Sequence, residues 1–136
     1  MKFLHFTAVH DLCLDAYKSV CQAHNVTPLT YLTDMKYVDG ISGCKALLNA
    51  GADAIICGTE RLTSGALVHL LREGKSHLPV ASVGINDYIR MLTPNIFAAD
   101  LQYAQVGKEA AVLLFQKIKG NNKNTDTVVQ PIMTVL

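Results

Sequence analysis

A chain of 136 residues, half of them apolar and 17% charged, is about one domain in length and too apolar to be intrinsically disordered. Its 12 basic and 11 acidic residues are interspersed to a net charge of +1, so no basic block exists to collect nucleic-acid phosphates. No apolar run approaches the ~20 residues of a membrane span. The opening "MKFLHF" has neither the length nor the cleavage site of a secretory signal. Four cysteines (Cys13, Cys21, Cys44, Cys57) sit singly in apolar segments with no C-x-x-C pair, which points to a reducing, cytoplasmic setting.

Taken in order, "KFLHF" (Lys2–Phe6) reads as a strand. The apolar spacing from Asp11 to His24 predicts a helix that Asn25 can stop. "TPLTYL" (Thr27–Leu32) is β-rich, with Pro28 tolerated near its start. Asp39–Asn49 carries Ile41, Cys44, Leu47 and Leu48 on one helical face, and Gly51 suits its C-terminus. Ala54–Cys57 is an all-apolar strand. Thr59 can cap the helix after it, whose face is Leu62, Ala66, Leu67, Leu70 and Leu71 up to Gly74. Pro79–Val83 and "NIFAA" (Asn95–Ala99) read as two more strands. Tyr103–Lys119 is the strongest helical pattern, with Val106, Ala110, Leu113, Leu114 and Ile118 in phase. The polar linker Gly120–Asp126 then leads to a final strand, Thr127–Val135. Strands apolar on both faces, alternating with amphipathic helices, predict an α/β fold: a parallel sheet with helices on both faces.

In such sheets ligands bind at the carboxyl ends of the strands, where helix N-termini point. Thr59, Glu60 and Arg61 occupy one of these strand-to-helix turns. Two readings stand side by side there. The triplet is binding chemistry, or Thr59 is a cap and Glu60 complements the helix dipole. The remaining signals for chemistry fail. The glycines of "GADAIICG" lack a nucleotide-binding spacing, and no P-loop lysine follows. The five histidines have no metal-ligand spacing, so no metal or other cofactor is expected. His10 and Asp11 near Cys13 complete no nucleophilic triad, and "RLTSGA" is not a G-x-S-x-G elbow.

Three stretches in fixed order carry a resemblance: "IICGTERLTSGAL", "PVASVGINDYIRMLTP" and "AADLQYAQVGKEAAVLLFQKIKG". Together they resemble the effector-binding region of the lactose-repressor/galactose-repressor family of sugar-responsive transcription regulators. Within that family the sequence is most similar to trehalose operon repressors. It shares Ala16, Tyr17, Cys21, Ala23 and His24 on one helix, "ASVG" at Ala81–Gly84, and the run Tyr103–Ala111. The spacing holds from about residue 15 to residue 120. The resemblance implies a periplasmic-binding-protein-like fold, with two lobes joined by crossovers and a sugar held between them. Of that architecture these residues resemble the C-terminal lobe (1–92), a crossover and its helix (93–120) and a final strand (127–135). A DNA-binding headpiece and a first lobe are not among them.

The resemblance also implies roles for single residues. Glu60 stands where the family has an Asp that bonds sugar hydroxyls, and a carboxylate accepts from two vicinal hydroxyls. Tyr103 stands at the crossover aromatic, whose ring packs on a sugar's apolar face. Thr59, and Asn86 in the loop after Gly84, complete the implied contacts. Asp11 departs from the pattern, because relatives carry a basic group there that meets the sugar or its phosphate. An Asp repels an anionic ligand instead. The expectation is a non-enzymatic, sugar-sensing lobe of a bacterial repressor, with a sugar or sugar phosphate as effector. DNA would be reached only through a headpiece, and no membrane is involved. The chain would form a homodimer or a domain-swapped pair. The competing readings are a sugar-binding protein of a transport system and a small α/β sugar-phosphate enzyme. The latter would need an acid–base pair such as Glu60 with His10 or Asp11.

Overall fold

The computed structural model describes residues 2–6, 11–93, 96–121 and 126–135, and for 2–6 and 11 the backbone alone. Five parallel strands build the sheet: β1 (Lys2–Phe6), β2 (Thr30–Thr33), β3 (Ile55–Cys57), β4 (Val80–Val83) and β5 (Ile96–Asp100). A sixth, β6 (Ile132–Val135), pairs antiparallel with β5 and closes the order β2-β1-β3-β4-β5-β6. The helices are α1 (Asp11–Ala23), α2 (Tyr37–Asn49), α3 (Glu60–Arg72), α4 (Asp87–Leu92) and α5 (Tyr103–Ile118).

Burial explains which helix lies on which face. Successive strand residues point to opposite faces, and β3 separates two clusters accordingly. Ile55 and Cys57 join Cys44 and Leu47 of α2, Leu62 and Leu70 of α3, and Ile89 of α4 in the main core. Ile56 packs instead with Tyr17 and Cys21 of α1 on the other side. Each fully buried Leu or Ile contributes about 1.5–3 kcal/mol, so the α2–α3 side carries most of the stability. Burial is the main cause that pushes the Cys57 and Cys44 thiols up to about 12, so both behave as small hydrophobes.

Helices α2 and α3 cross backbone to backbone. A Cβ on Gly40 would lie 2.3 Å from the Leu62 carbonyl oxygen, and one on Gly65 would lie 2.2 Å from that of Tyr37. Only glycine at both positions lets the helices approach so closely. This contact fixes where α3 begins, and with it the turn that carries Thr59 and Glu60.

The structure departs from the sequence expectations in several places, and β2 is one, running Thr30–Thr33 rather than Thr27–Leu32. Helix α4 falls where no element was expected; six residues with one buried side chain, Ile89, leave almost no periodic signal. Helix α2 starts at Tyr37 rather than Asp39, because the Asp39 carboxylate accepts the Lys36 N–H at 2.8 Å and caps an earlier turn. The final strand is Ile132–Val135, shorter than Thr127–Val135, and Pro131 just before it has no N–H to give a ladder. It is also antiparallel, so the sheet is mostly rather than wholly parallel.

Helix α5 is the outlier in packing. None of its sixteen residues is buried, and Leu114 and Ile118 are 61% and 71% exposed. Its apolar stripe is real, but within the described residues no core covers it.

Candidate functional site

Parallel strands deliver their carboxyl ends to one edge of the sheet, and the loops leaving β2, β3, β4 and β5 gather there. They enclose an open cleft of about 400 Å³. From the β3–α3 turn come Gly58, Thr59, Glu60 and Arg61; from the end of β4, Val83; from the start of α5, Leu101 and Tyr103; from the loop after β2, Met35.

Thr59 is a helix cap that also lines the cleft. Its backbone is extended, and its Oγ1 accepts the Leu62 N–H at 3.3 Å, so it caps α3 while lining the cleft. Glu60 is half-buried at the first helical position. Its carboxyl is pushed above the usual glutamate range, first by loss of water and second by the charge of Asp100. The Tyr103 phenol is raised as well, by burial of its oxygen and then by the charge of Glu60. Glu60 of α3 therefore feels the charge of Asp100 from β5, and Tyr103 of α5 feels that of Glu60.

Asp100 also ties down the chain where it leaves the sheet. Its Oδ1 accepts the Gln102 N–H at 2.8 Å, and its Oδ2 meets Arg90 of α4 at 3.5 Å. Gln102 takes the left-handed conformation, with φ 52°, and turns the chain into α5. Its side-chain amide donates to the Gln130 carbonyl on the segment returning to β6. The outgoing and returning passes of the chain are thus pinned together beside the cleft.

Of the residues singled out in the sequence, Thr59, Glu60 and Tyr103 meet in this cleft. Asn86 lies outside its lining: the side-chain oxygen accepts the Ile89 N–H at 3.0 Å and caps α4. Asp11 opens α1, and its side chain lies outside the described residues, as does His10 altogether. Among the described residues no three His, Cys, Asp or Glu side chains converge as a metal site would.

Residues 3–136 match the family model of the periplasmic binding protein-like domain. The chain belongs to that family. The HTH-type transcriptional regulator TreR of Salmonella typhimurium is 31% identical over 106 residues, covering 78% of this chain and 34% of that protein. The chain spans only 34% and 36% of the two curated relatives it matches. Among solved structures, the trehalose repressor from Escherichia coli superposes with a TM-score of 0.87 at 24% identity, over 98% of this chain and 54% of that one. A LacI family transcriptional regulator from Enterococcus faecium with bound ribose gives 0.84 at 15% identity, over 98% and 54%. At these identities the structures show a shared fold. Arg61, which the sequence already placed on this turn, lines the cleft, and with it stand Met35, Val83 and Leu101, which carried no sequence signal for a site, and, beside them, Asp100. Asp100 had a readable signal, a lone carboxylate closing the apolar run "NIFAAD" at a strand's carboxyl end.

Proposed function

We propose that these residues form one lobe of the sugar-effector domain of a bacterial transcriptional repressor, responsive to trehalose or a related disaccharide. The observation that carries this reading is the meeting of Glu60 and Tyr103 in one open cleft at the carboxyl edge of the sheet. A carboxylate accepts from paired hydroxyls while a phenol ring covers the apolar face of a pyranose, which is how sugars are held without net charge on the ligand. The names of the relatives support the same reading, since one is a trehalose repressor and another holds ribose. In this reading residues 1–92 together with β5 are the lobe, the chain crosses to the other lobe after Asp100 and returns by residue 120, and 127–135 rejoin the sheet. The exposed stripe of α5 is then the surface a second lobe covers.

The lobe performs no chemistry. Acting in the cytoplasm, it would bind effector better in the closed state and so bias the spacing of paired DNA-binding headpieces. Titration calorimetry of the chain with trehalose tests the half-cleft. One lobe should bind with a Kd of about 1 mM or weaker, some −4 kcal/mol. Amide shifts centred on Thr59, Glu60 and Tyr103 at a trehalose concentration above that Kd would accompany it. Micromolar affinity would overturn the half-cleft view, and a complete absence of shifts would overturn the sugar site.

A further inference from the structure

Beneath the cleft lies a buried polar strut that sugar contact does not use. Thr63 and Ser82 are both almost fully buried, and their hydroxyl oxygens lie 2.7 Å apart. Ser82 Oγ donates to the Gly84 carbonyl at 2.6 Å, and Thr63 Oγ1 lies 2.8 Å from the carbonyl of Thr59. The chain of contacts runs from the turn before α3 to the turn after β4. These are the two turns that bring Glu60 and Gly84 together. Buried hydroxyls persist only when satisfied, and here satisfying them locks the two turns to each other.

Gly84 completes the arrangement. It holds φ +87°, its N–H donates to the Ala99 carbonyl at 2.9 Å, and the end of the Glu60 side chain lies directly over it. A Cβ at this position would stand 2.9 Å from Glu60 Cδ and 3.0 Å from its Cγ and Oε1. Glu60 is the movable partner of that contact, being the far end of a flexible side chain. The bond to Ala99 also sets Glu60 beside Asp100, the next residue of β5.

We infer that Ser82 and Gly84 are positioning residues that hold the Glu60 carboxylate in the cleft, Gly84 by leaving room for it and Ser82 by fixing the turn that Gly84 makes. Neither touches the ligand. Their effect is on where the carboxylate sits, and so on the water and charge it meets.

The test reads Glu60 directly and needs no ligand. The chain has three glutamates, Glu60, Glu73 and Glu109, so carboxyl carbon-13 NMR titration resolves them, and Glu60→Gln assigns the signal. In Gly84→Ala the displaced carboxylate gains water and leaves Asp100, so its titration midpoint should drop toward the ordinary glutamate value. Ser82→Ala should move it the same way, and Ser82→Thr, which keeps a hydroxyl, should return it. Trehalose binding should weaken about tenfold in both damaged variants, the loss expected for one charge-assisted hydrogen bond. An unmoved Glu60 midpoint in a folded Gly84→Ala chain would overturn the proposal. So would unfolding of Gly84→Ala and Ser82→Ala alike, which would make the pair part of the scaffold alone. Because the midpoint is measured without sugar, failure of trehalose to bind would count against the sugar reading and leave this result intact.

Discussion

The α2–α3 crossing gives the sharpest test of how this fold is held together. Replacing a helical glycine by alanine normally stabilises by about 1 kcal/mol, through helix propensity. At Gly65 the added methyl would stand 2.2 Å from the Tyr37 carbonyl oxygen and 3.0 Å from both the Gly40 Cα and the Ile41 nitrogen. All three are backbone atoms, so no side chain can swing aside and the two helices must separate. Overpacking of this kind costs about 1–3 kcal/mol, and contacts this short against backbone belong at the upper end. Setting ~3 against the ~1 kcal/mol of propensity leaves Gly65→Ala about 2 kcal/mol less stable. At Gly107 in α5 a methyl meets nothing within 4 Å. The same substitution there should stabilise by roughly 0.5–1 kcal/mol. Urea unfolding followed by circular dichroism reads both, with the denaturant slope checked for two-state behaviour. If Gly65→Ala were as stable as the parent chain, the close approach would not exist and the placement of α3 would be wrong.

Three further outcomes follow from the cleft and from α5. Glu60 has a folded pKa raised above its unfolded value, so its ionisation lowers stability as pH rises from the ordinary glutamate range through that raised value; Glu60→Gln should therefore melt higher than the parent at pH 7, with the difference gone near pH ~3, below the ordinary glutamate pKa. Equal melting temperatures at pH 7 would contradict the desolvation of Glu60. If Asp11 replaces a basic contact, Asp11→Arg should shift NMR-measured preference from trehalose toward its phosphate, and unchanged preference would remove Asp11 from the site. Finally, the stripe of Val106, Leu114 and Ile118 should drive the chain to self-associate through α5; light scattering after size exclusion would refute this by finding only monomer at high micromolar concentration.

The alternation of buried runs and amphipathic stretches was enough to read ten of the eleven elements, because burial on both faces of a strand and one face of a helix is written residue by residue. What hydrophobicity does not encode is direction or neighbour. Nothing in "IMTV" distinguishes an antiparallel edge strand from a parallel one, and nothing local places β1 between β2 and β3. Helix α4 escaped for a different reason: it is held by Asn86 at its cap and Ile89 in the core, too few residues to set a period.

The candidate site was legible where one short segment carries it and hidden where two must meet. Thr59 and Glu60 follow each other on a strand-to-helix turn, so their place at the binding edge follows from local pattern alone. Asn86 looked equivalent, yet its side-chain oxygen is spent on the Ile89 N–H. Asp100 acquires its role only through register: the Gly84 N–H meets the Ala99 carbonyl, which sets the next residue of β5 beside the first residue of α3. Gly84 likewise reads as an ordinary turn glycine until Glu60 is seen lying over it. The fold places its stability in the α2–α3 crossing and its polar cleft residues at the ends of strands, joined by the Thr63–Ser82 strut. Substitutions at Gly65 should therefore act first on folding, and substitutions at Gly84 first on the charge and water around Glu60.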